Sequence, residues 1–343
     1  MTIGIKDVAR VANVSPATVS RVLSGTVVDP AMRARVLEAV KSTGYRPNLS
    51  ARRLRSRHSN TIGLIVADIR NPFFTAVSRA VEDAAYARGL RVILCNTDED
   101  PAREAMYLRL MQEERVTGVI LAPVRHTSSK TSDIHTGFPI VCIDRTAPCM
   151  TRDSVVLDNE AMAAALVAHL HERGHRRIAG LFGASSTSGA ERRAGFERAA
   201  SQAGVAVEAL SVPHGPGEAD SAVARVLSGA GGPPSALVTS NGMMMLSVLR
   251  ALHERGLRVP EDIAVAGFDN EPWMALAGDG LTVIEQPVEE IGRTAMAMLS
   301  DKLDHPEAAS RRVVLSGRLI VRGSSFMPGH SADFRISEKE TVR

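Results

Sequence analysis

Cysteine is scarce in this chain. Only Cys95, Cys142 and Cys149 occur among 343 residues. No two of them stand in CxxC spacing, which excludes a zinc knuckle and a disulfide scaffold. Cys95 and Cys142 end apolar strand-like runs and are expected to be small buried hydrophobes. Long apolar runs are missing too: none reaches the roughly 18 residues that a membrane span needs. The N-terminus has no basic-then-apolar segment, so nothing there suggests export, and a cytoplasmic location is expected. Enzyme signatures are also lacking. There is no GxxxxGK(S/T) phosphate loop, no GxSxG elbow, no HExxH and no intact GxGxxG after the first strand. His169, His171 and His175 look like a cluster, but their spacing spreads them around a helix and its end. They are expected to be solvent-facing or helix-end residues. No enzyme activity, metal or cofactor is therefore expected.

What is present is an uneven charge distribution. The net charge of +3 hides a basic segment, residues 1–60, with 11 Lys/Arg against 3 Asp/Glu. The rest of the chain carries 30 Lys/Arg against 35 Asp/Glu. A short basic head on a long acidic body suggests a polyanion-binding unit joined to a part with another task.

The pattern inside the head sharpens this. Ile5, Val8, Ala9 and Ala12 recur at helical spacing, and Asn13 follows as a residue that tolerates a left-handed stop. Ser15-Pro16 opens a second helix with a cap and a first-turn proline. Val19, Val22 and Leu23 form its inward face, while Ala17, Thr18 and Arg21 are expected to point outward. Asp29-Pro30 starts a third helix that buries Val36, Leu37 and Val40 and closes at Gly44. Two short helices, a tight turn and a third helix to complete the core make a helix-turn-helix. The second helix of that motif presents its N-terminal half to base edges in the major groove. Ala17 and Thr18 are small enough for close approach, and Arg21 can donate a bidentate pair to guanine. Ser15, and Thr18 or Ser20, can hold phosphates.

Residues 45–60, YRPNLSARRLRSRHSN, come next. Asn48 can cap a short helix with Ala51 and Leu54 on one side and Arg52, Arg53, Arg55 and Arg57 elsewhere. One or two turns carrying four arginines are too short and too self-repelling to be stable alone, so folding is expected to be coupled to phosphate binding. Leu54 is a candidate wedge for a minor-groove base step.

From Thr61 onward, short β-branched runs alternate with amphipathic helices. Strands are expected at 61–67, 91–95, 118–122, 139–143 and 154–157. A second series has strands at 177–182, 236–240, 263–268 and 281–285, and two more strands follow at 313–316 and 319–322. Helices are expected near 73–88, 101–115, 159–173, 190–203, 243–255 and 288–303. This alternation means parallel sheets with helices on both faces, and two similar series suggest two lobes. Ligands of open α/β sheets sit beyond the carboxyl ends of the strands. Phe73, Phe74, Asp98, Asp144, Arg145, Asn241, Asp269 and Gln286 fall at such ends, and Arg192 falls at the start of a helix. Acidic and amide groups take hydrogen bonds from neighbouring hydroxyls, Arg holds a hydroxyl pair or an anion, and the phenylalanines can stack on an apolar ring face. For any one of them alone, a capping or turn role is at least as good an account.

Read together, IKDVARVANVSPATVSRVLSG, RVLEAVKSTGYRPNLSARRLR, TIGLIVADIRNPFF, LVAHLHERGHRRIAGLFG, ERRAGFERA and PEDIAVAGFDN resemble the lactose-repressor (LacI/GalR) family of bacterial transcription regulators over about residues 3–328. The resemblance implies an all-α helix-turn-helix head on a two-lobed, periplasmic-binding-protein-like α/β core. It implies a head at 1–47, a hinge helix and linker at 48–59, a core at 60–328 and a disordered tail at 329–343. Within the core, lobe 1 would hold about 60–158 and 288–317, and lobe 2 about 160–286 and 320–328. The implied partners are a near-palindromic double-stranded DNA operator, a second copy of the chain and a small-molecule effector such as a sugar, sugar acid or polyol. The implied DNA-binding set is Ser15, Ala17, Thr18, Ser20, Arg21, Asn48, Ala51, Leu54 and Arg55. The implied effector set is Phe73, Phe74, Asp98, Asp144, Arg145, Arg192, Asn241, Asp269 and Gln286. Repression relieved by an effector is the leading expectation. A corepressor-dependent regulator, a ligand-responsive activator, a sugar-binding protein or an enzyme on the same scaffold are the alternatives. Two features depart from the family pattern. Gly242 follows Asn241 where many members have Asp, and the tail carries no leucine heptad for tetramerisation.

Overall fold

The structure, a computed structural model, describes residues 3–23, 26–45, 59–124, 137–146, 152–229 and 231–327. The chain divides into two units, Met1–Ser59 and Asn60–Arg343. The hinge positions Asn48, Ala51, Leu54 and Arg55, Cys149 and the tail at 329–343 lie outside the described residues.

The first unit holds α1 (Ile5–Ala12), α2 (Pro16–Leu23) and α3 (Pro30–Thr43). Their ends follow from local chemistry. Asn13 stops α1 in the left-handed conformation at φ 50°. The Ser15 hydroxyl accepts the Thr18 amide proton at 3.1 Å, capping α2. Asp29 accepts the Met32 amide proton at 2.9 Å ahead of Pro30, and Gly44 ends α3 at φ 65°. Val8, Ala9, Ala12, Val19, Val22, Val36 and Ala39 form the core. Two expectations need correction. Leu37 is 47% exposed, and Ala39 takes the inward place in the next turn. Thr18 faces inward, 8% exposed, because its hydroxyl turns back to the Ser15 hydroxyl at 2.9 Å.

The second unit is built on two six-stranded sheets. The first has the order β11-β5-β4-β3-β1-β2, with β1 (Thr61–Val66), β2 (Arg91–Asn96), β3 (Gly118–Leu121), β4 (Ile140–Ile143), β5 (Asp153–Leu157) and β11 (Arg312–Leu315). All its pairs are parallel. Helices α4 (Pro72–Tyr86) and α10 (Val288–Asp304) cover one face, and α5 (Pro101–Glu113) covers the other. With both faces covered, every residue of β1, β3, β4 and β5 is buried, which explains their continuous apolar runs. Cys95 and Cys142 are buried here as small core residues.

The second sheet has the order β12-β10-β9-β8-β6-β7, with β6 (Arg177–Gly183), β7 (Ala206–Val212), β8 (Ala236–Thr239), β9 (Ala264–Phe268), β10 (Thr282–Glu285) and β12 (Arg318–Ile320). Helices α6 (Asn159–Glu172) and α7 (Thr187–Ala203) pack on one face, and α8 (Glu218–Leu227) and α9 (Gly242–Glu254) on the other. The chain therefore passes between the sheets three times: after β5, after β10 and between β11 and β12. The strand β12 pairs with β10 antiparallel, not parallel as expected. Only Ser316 and Gly317 separate it from β11, so no crossover helix turns the chain round. The elements β7 and α8 were not anticipated. As an edge strand, β7 keeps one face open, which blurs its apolar pattern.

The two lobes share a device for close helix packing. A methyl on Gly195 of α7 would fall on the backbone of Glu160 in α6. A methyl on Gly292 of α10 would fall on Ala80 and Val81 of α4.

Candidate functional site

The loops that leave the carboxyl ends of both sheets enclose a cavity of about 610 Å³. Every expected effector residue lines it: Phe73, Phe74, Asp98, Asp144 and Arg145 from lobe 1, and Arg192, Asn241, Asp269 and Gln286 from lobe 2. The last of these, Gln286, lies just before the chain returns to the first sheet.

On the lobe 1 wall, Arg145 is 5% exposed and held by two carboxylates. Its Nε donates to Asp144 Oδ2 at 2.8 Å, and its Nη1 donates to both Glu99 oxygens at 3.0 and 2.9 Å. Burial works against the guanidinium charge, but Asp144 and Glu99 outweigh it and hold the Arg145 pKa above its ordinary value. Burial pushes the Glu99 carboxyl up, against the attraction of Arg145. Phe73 and Phe74 sit in the first turn of α4 with their rings edge to face, 5.1 Å apart. Asp98 stands nearer the rim, paired with Arg70 at 2.7 Å and with Arg103 at 3.6 Å.

On the lobe 2 wall, Arg192 is 4% exposed, and its direct partners are neutral. Nε donates to Asn159 Oδ1 at 2.8 Å, and Nη1 donates to the Ser240 carbonyl. The Phe268 ring lies 4.1 Å from its Cζ, a cation–π contact. Its Nη2 is buried without a hydrogen-bond partner. Burial lowers the Arg192 pKa, with Asp269 and Asp144 opposing. Asp269 accepts from the Gly242 amide at 2.8 Å and from Gln286 Nε2 at 2.6 Å, and burial raises its pKa. Arg192 lies a turn and a half inside α7, which begins at Thr187 under a Ser186 cap, and not at the helix start as expected.

Asn241 caps α9 itself, accepting the Met244 amide proton at 2.8 Å. The space that a side chain at Gly242 would fill is taken by Glu271, whose Oε1 is buried without a partner and whose pKa burial raises. An acidic group thus stands near the start of α9 even though residue 242 is glycine.

Four acidic residues of the cavity wall have left-handed backbones: Asp98 at φ 54°, Glu99 at 58°, Asp144 at 65° and Asp269 at 76°. Only two other non-glycine residues among those described do so. Such conformations persist where the surroundings over-determine them, and they cluster at ligand sites.

Sequence reasoning missed Asp68, Arg70, Glu99 and His214, which also line the cavity. The pattern Glu-Asp-Pro at 99–101 reads as a helix start, which masked Glu99. His214 follows the strand that was overlooked. Away from the cavity, His169 and His175 stand in the last turn of α6 and just beyond it, as the helix-end expectation had them, but they are buried there and not solvent-facing. His169 Nε2 lies 2.8 Å from the Ser325 hydroxyl, and His175 lies 2.9 Å from the Ser235 hydroxyl and 3.2 Å from the Ser325 carbonyl. Burial lowers both pKa values.

In the head, Ser15, Ala17 and Arg21 are exposed and Ser20 is half-buried along α2. Ala17 and Ser20 carry short side chains, which leaves Arg21 the longest group of the set.

Residues 4–48 match the family model of bacterial regulatory proteins, lacI family, and residues 167–325 match that of a periplasmic binding protein-like domain. The transcriptional regulator PtxS of Pseudomonas plecoglossicida is 35% identical over 329 residues, covering 94% of this chain and 95% of that protein. The chain belongs to the lacI family of bacterial regulatory proteins. It is a transcription regulator with a helix-turn-helix head and a two-lobed core. Among solved structures, the lac repressor dimer bound to operator and the anti-inducer ONPF has a TM-score of 0.83 at 25% identity, covering 95% of this chain and 100% of that one. The complex of the transcriptional regulator CelR with cellobiose has a TM-score of 0.70 at 28% identity, covering 94% and 99%. Among the described residues, no helix is long and apolar enough to cross a membrane.

Proposed function

We propose that this regulator is a cytoplasmic, non-enzymatic repressor that binds a near-palindromic operator as a homodimer and releases it when a sugar, sugar acid or polyol fills the cleft. The observation that carries the effector reading is a cavity of about 610 Å³ with an unpartnered buried guanidinium nitrogen on one wall and four acidic residues with left-handed backbones around it. A volume of this order suits a small molecule. Arg192 Nη2 takes a hydroxyl pair or a carboxylate. Asp144 and Asp269 accept from neighbouring hydroxyls, and Phe73 and Phe74 meet an apolar ring face. The cellobiose complex of the CelR relative supports a carbohydrate over a nucleobase.

For DNA, Arg21 reads guanine from α2. Ala17 allows close approach, while Ser15 and Ser20 meet phosphates. The expected contact from Thr18 is the weakest of this set, because its hydroxyl is turned to Ser15. Asn48, Ala51, Leu54 and Arg55 belong to a hinge at 48–59 between a head at 1–47 and a core at 60–328. The lobes are proposed at about 60–158 with 288–317, and at about 160–286 with 320–328. Effector binding acts through differential affinity for two lobe arrangements, with a coupling of about 1–3 kcal/mol.

The test is a gel shift of the full chain on genomic fragments across salt and metabolite series. A thermal-shift screen of carbohydrates and nucleobases guides the choice of metabolites. Salt-sensitive, sequence-selective binding that a carbohydrate weakens supports the reading. A compound that tightens binding makes the chain a corepressor-dependent regulator. Indifference to every fragment rejects the reading.

A further inference from the structure

One guanidinium joins the two lobes across the mouth of the cleft. Arg70 stands on the loop between β1 and α4. Its Nε donates to Asp68 Oδ1 at 2.9 Å, and its Nη2 lies 3.1 Å from Asp68 Oδ2 and 2.7 Å from Asp98 Oδ1. The same Nη2 lies 3.1 Å from Nε2 of His214, on the loop between β7 and α8 in the other lobe. A guanidinium has no acceptor, so this contact is a hydrogen bond when His214 Nε2 offers its lone pair and the ring proton sits on Nδ1; Nη2 then shares its two protons among three acceptors. His214 Nε2 is also 3.9 Å from each of the two carboxylates. The ligand atoms of Asp68, Asp98 and His214 are close enough together to hold a cation, and Arg70 supplies one there from its own side chain. The His214 loop runs Pro-His-Gly-Pro-Gly at 213–217, and two prolines leave it few amides to anchor it to its own lobe.

We propose that Arg70 and His214 form a clasp that holds the lobes together over the occupant of the cleft. They are positioning residues: they set how long the cleft stays shut rather than reading the ligand. The role in retaining an effector rests on the cleft being the effector site. The clasp itself does not, so it is tested without any effector.

The test is amide hydrogen exchange on the full-length protein, comparing wild type with His214→Ala, Arg70→Ala, the double variant and His214→Gln. The lobe 1 amides of Ile69, Arg70, Asn71, Glu99 and Asp100 are all hydrogen-bonded within that lobe. His214→Ala, a change in lobe 2, is expected to speed their exchange by about two- to fivefold, the scale of a partly exposed charged contact. Arg70→Ala is expected to do the same for the hydrogen-bonded lobe 2 amides that flank the His214 loop, Ala184 on the Val212 carbonyl and Ser221 on the Gly217 carbonyl. The double variant should exchange no faster than the faster single variant, because each single change already opens the clasp. His214→Gln keeps an acceptor and should stay near wild type. Exchange that rises only in the mutated lobe, effects that sum in the double variant, or a Gln variant as fast as the Ala variant would each overturn the clasp. Failure of the effector reading would leave these results untouched.

Discussion

Arg145 on the lobe 1 wall and Arg192 on the lobe 2 wall are both buried against the same cavity, yet they are held by opposite kinds of partner. Arg145 binds two carboxylates, Asp144 and Glu99. Arg192 binds a carboxamide, a carbonyl and an aromatic face, and keeps one nitrogen unpartnered. The first arrangement neutralises a charge within the protein. The second leaves hydrogen-bonding capacity for something that arrives. We propose that these two arginines of one pocket divide into a structural cation and a ligand-facing one.

The sharpest way to break this comparison is to remove each arginine in turn. Arg145→Ala leaves Glu99 and Asp144 buried together without a cation, and is expected to destabilise the core by about 3–5 kcal/mol in chemical denaturation. A loss below 1 kcal/mol would mean that Arg145 is not a structural tie. Arg192→Ala is expected to weaken effector binding by about 100-fold, the scale of a lost charged hydrogen bond plus its bidentate partner, while operator binding without effector persists. Titration calorimetry and a gel shift measure the two effects. An effector affinity equal to wild type would remove Arg192 from the ligand wall.

The two lobes can also be compared by their helix pairs. Gly195→Ala and Gly292→Ala each press a methyl against a neighbouring helix, and overpacking of this kind costs about 1–3 kcal/mol. Thermal melts should fall for both variants, and an unchanged melt for either would show that its helix pair can separate without cost. The smallest effect distinguishes the lobes by pH. Lobe 2 holds His169 and His175 with lowered pKa values, while lobe 1 has no buried histidine among the described residues. A depressed histidine pKa gives a contribution that is full above the unfolded value of 6.5 and lost as pH falls through the folded value. Protection, the exchange rate corrected for the intrinsic slowing of amide exchange in acid, should therefore fall in lobe 2 before lobe 1 as the solution is acidified below about pH 6. Lobe 1 opening first would contradict the assignment.

The cleft was legible because strand ends are easy to find when both faces of a sheet are buried, and eight of its nine expected residues fall at or near such ends, Arg192 inside α7 being the exception. Their partners were not. Glu99 and Arg70 bond across 46 and 144 positions of sequence, to Arg145 and His214. No local periodicity encodes those contacts. The edge strand β7 hid His214 by exposing one face. In the head, the caps at Ser15 and Asp29 fixed the helix starts correctly, but the tertiary packing of α3 decided that Ala39 rather than Leu37 faces inward. Thr18 turned inward because its hydroxyl found the capping serine, a choice that spacing alone does not reveal.

The central claim, that occupancy of the cleft governs the grip of the head on DNA, is tested most directly by fluorescence anisotropy. A promoter fragment bound by the full chain is titrated with whichever carbohydrate raises the melting temperature, for wild type and for Arg192→Ala. The account predicts that operator affinity of the wild type falls by about 5- to 150-fold at saturation and that the variant does not respond. An operator affinity that stays constant while the compound demonstrably binds, or a variant that responds as fully as wild type, would contradict it.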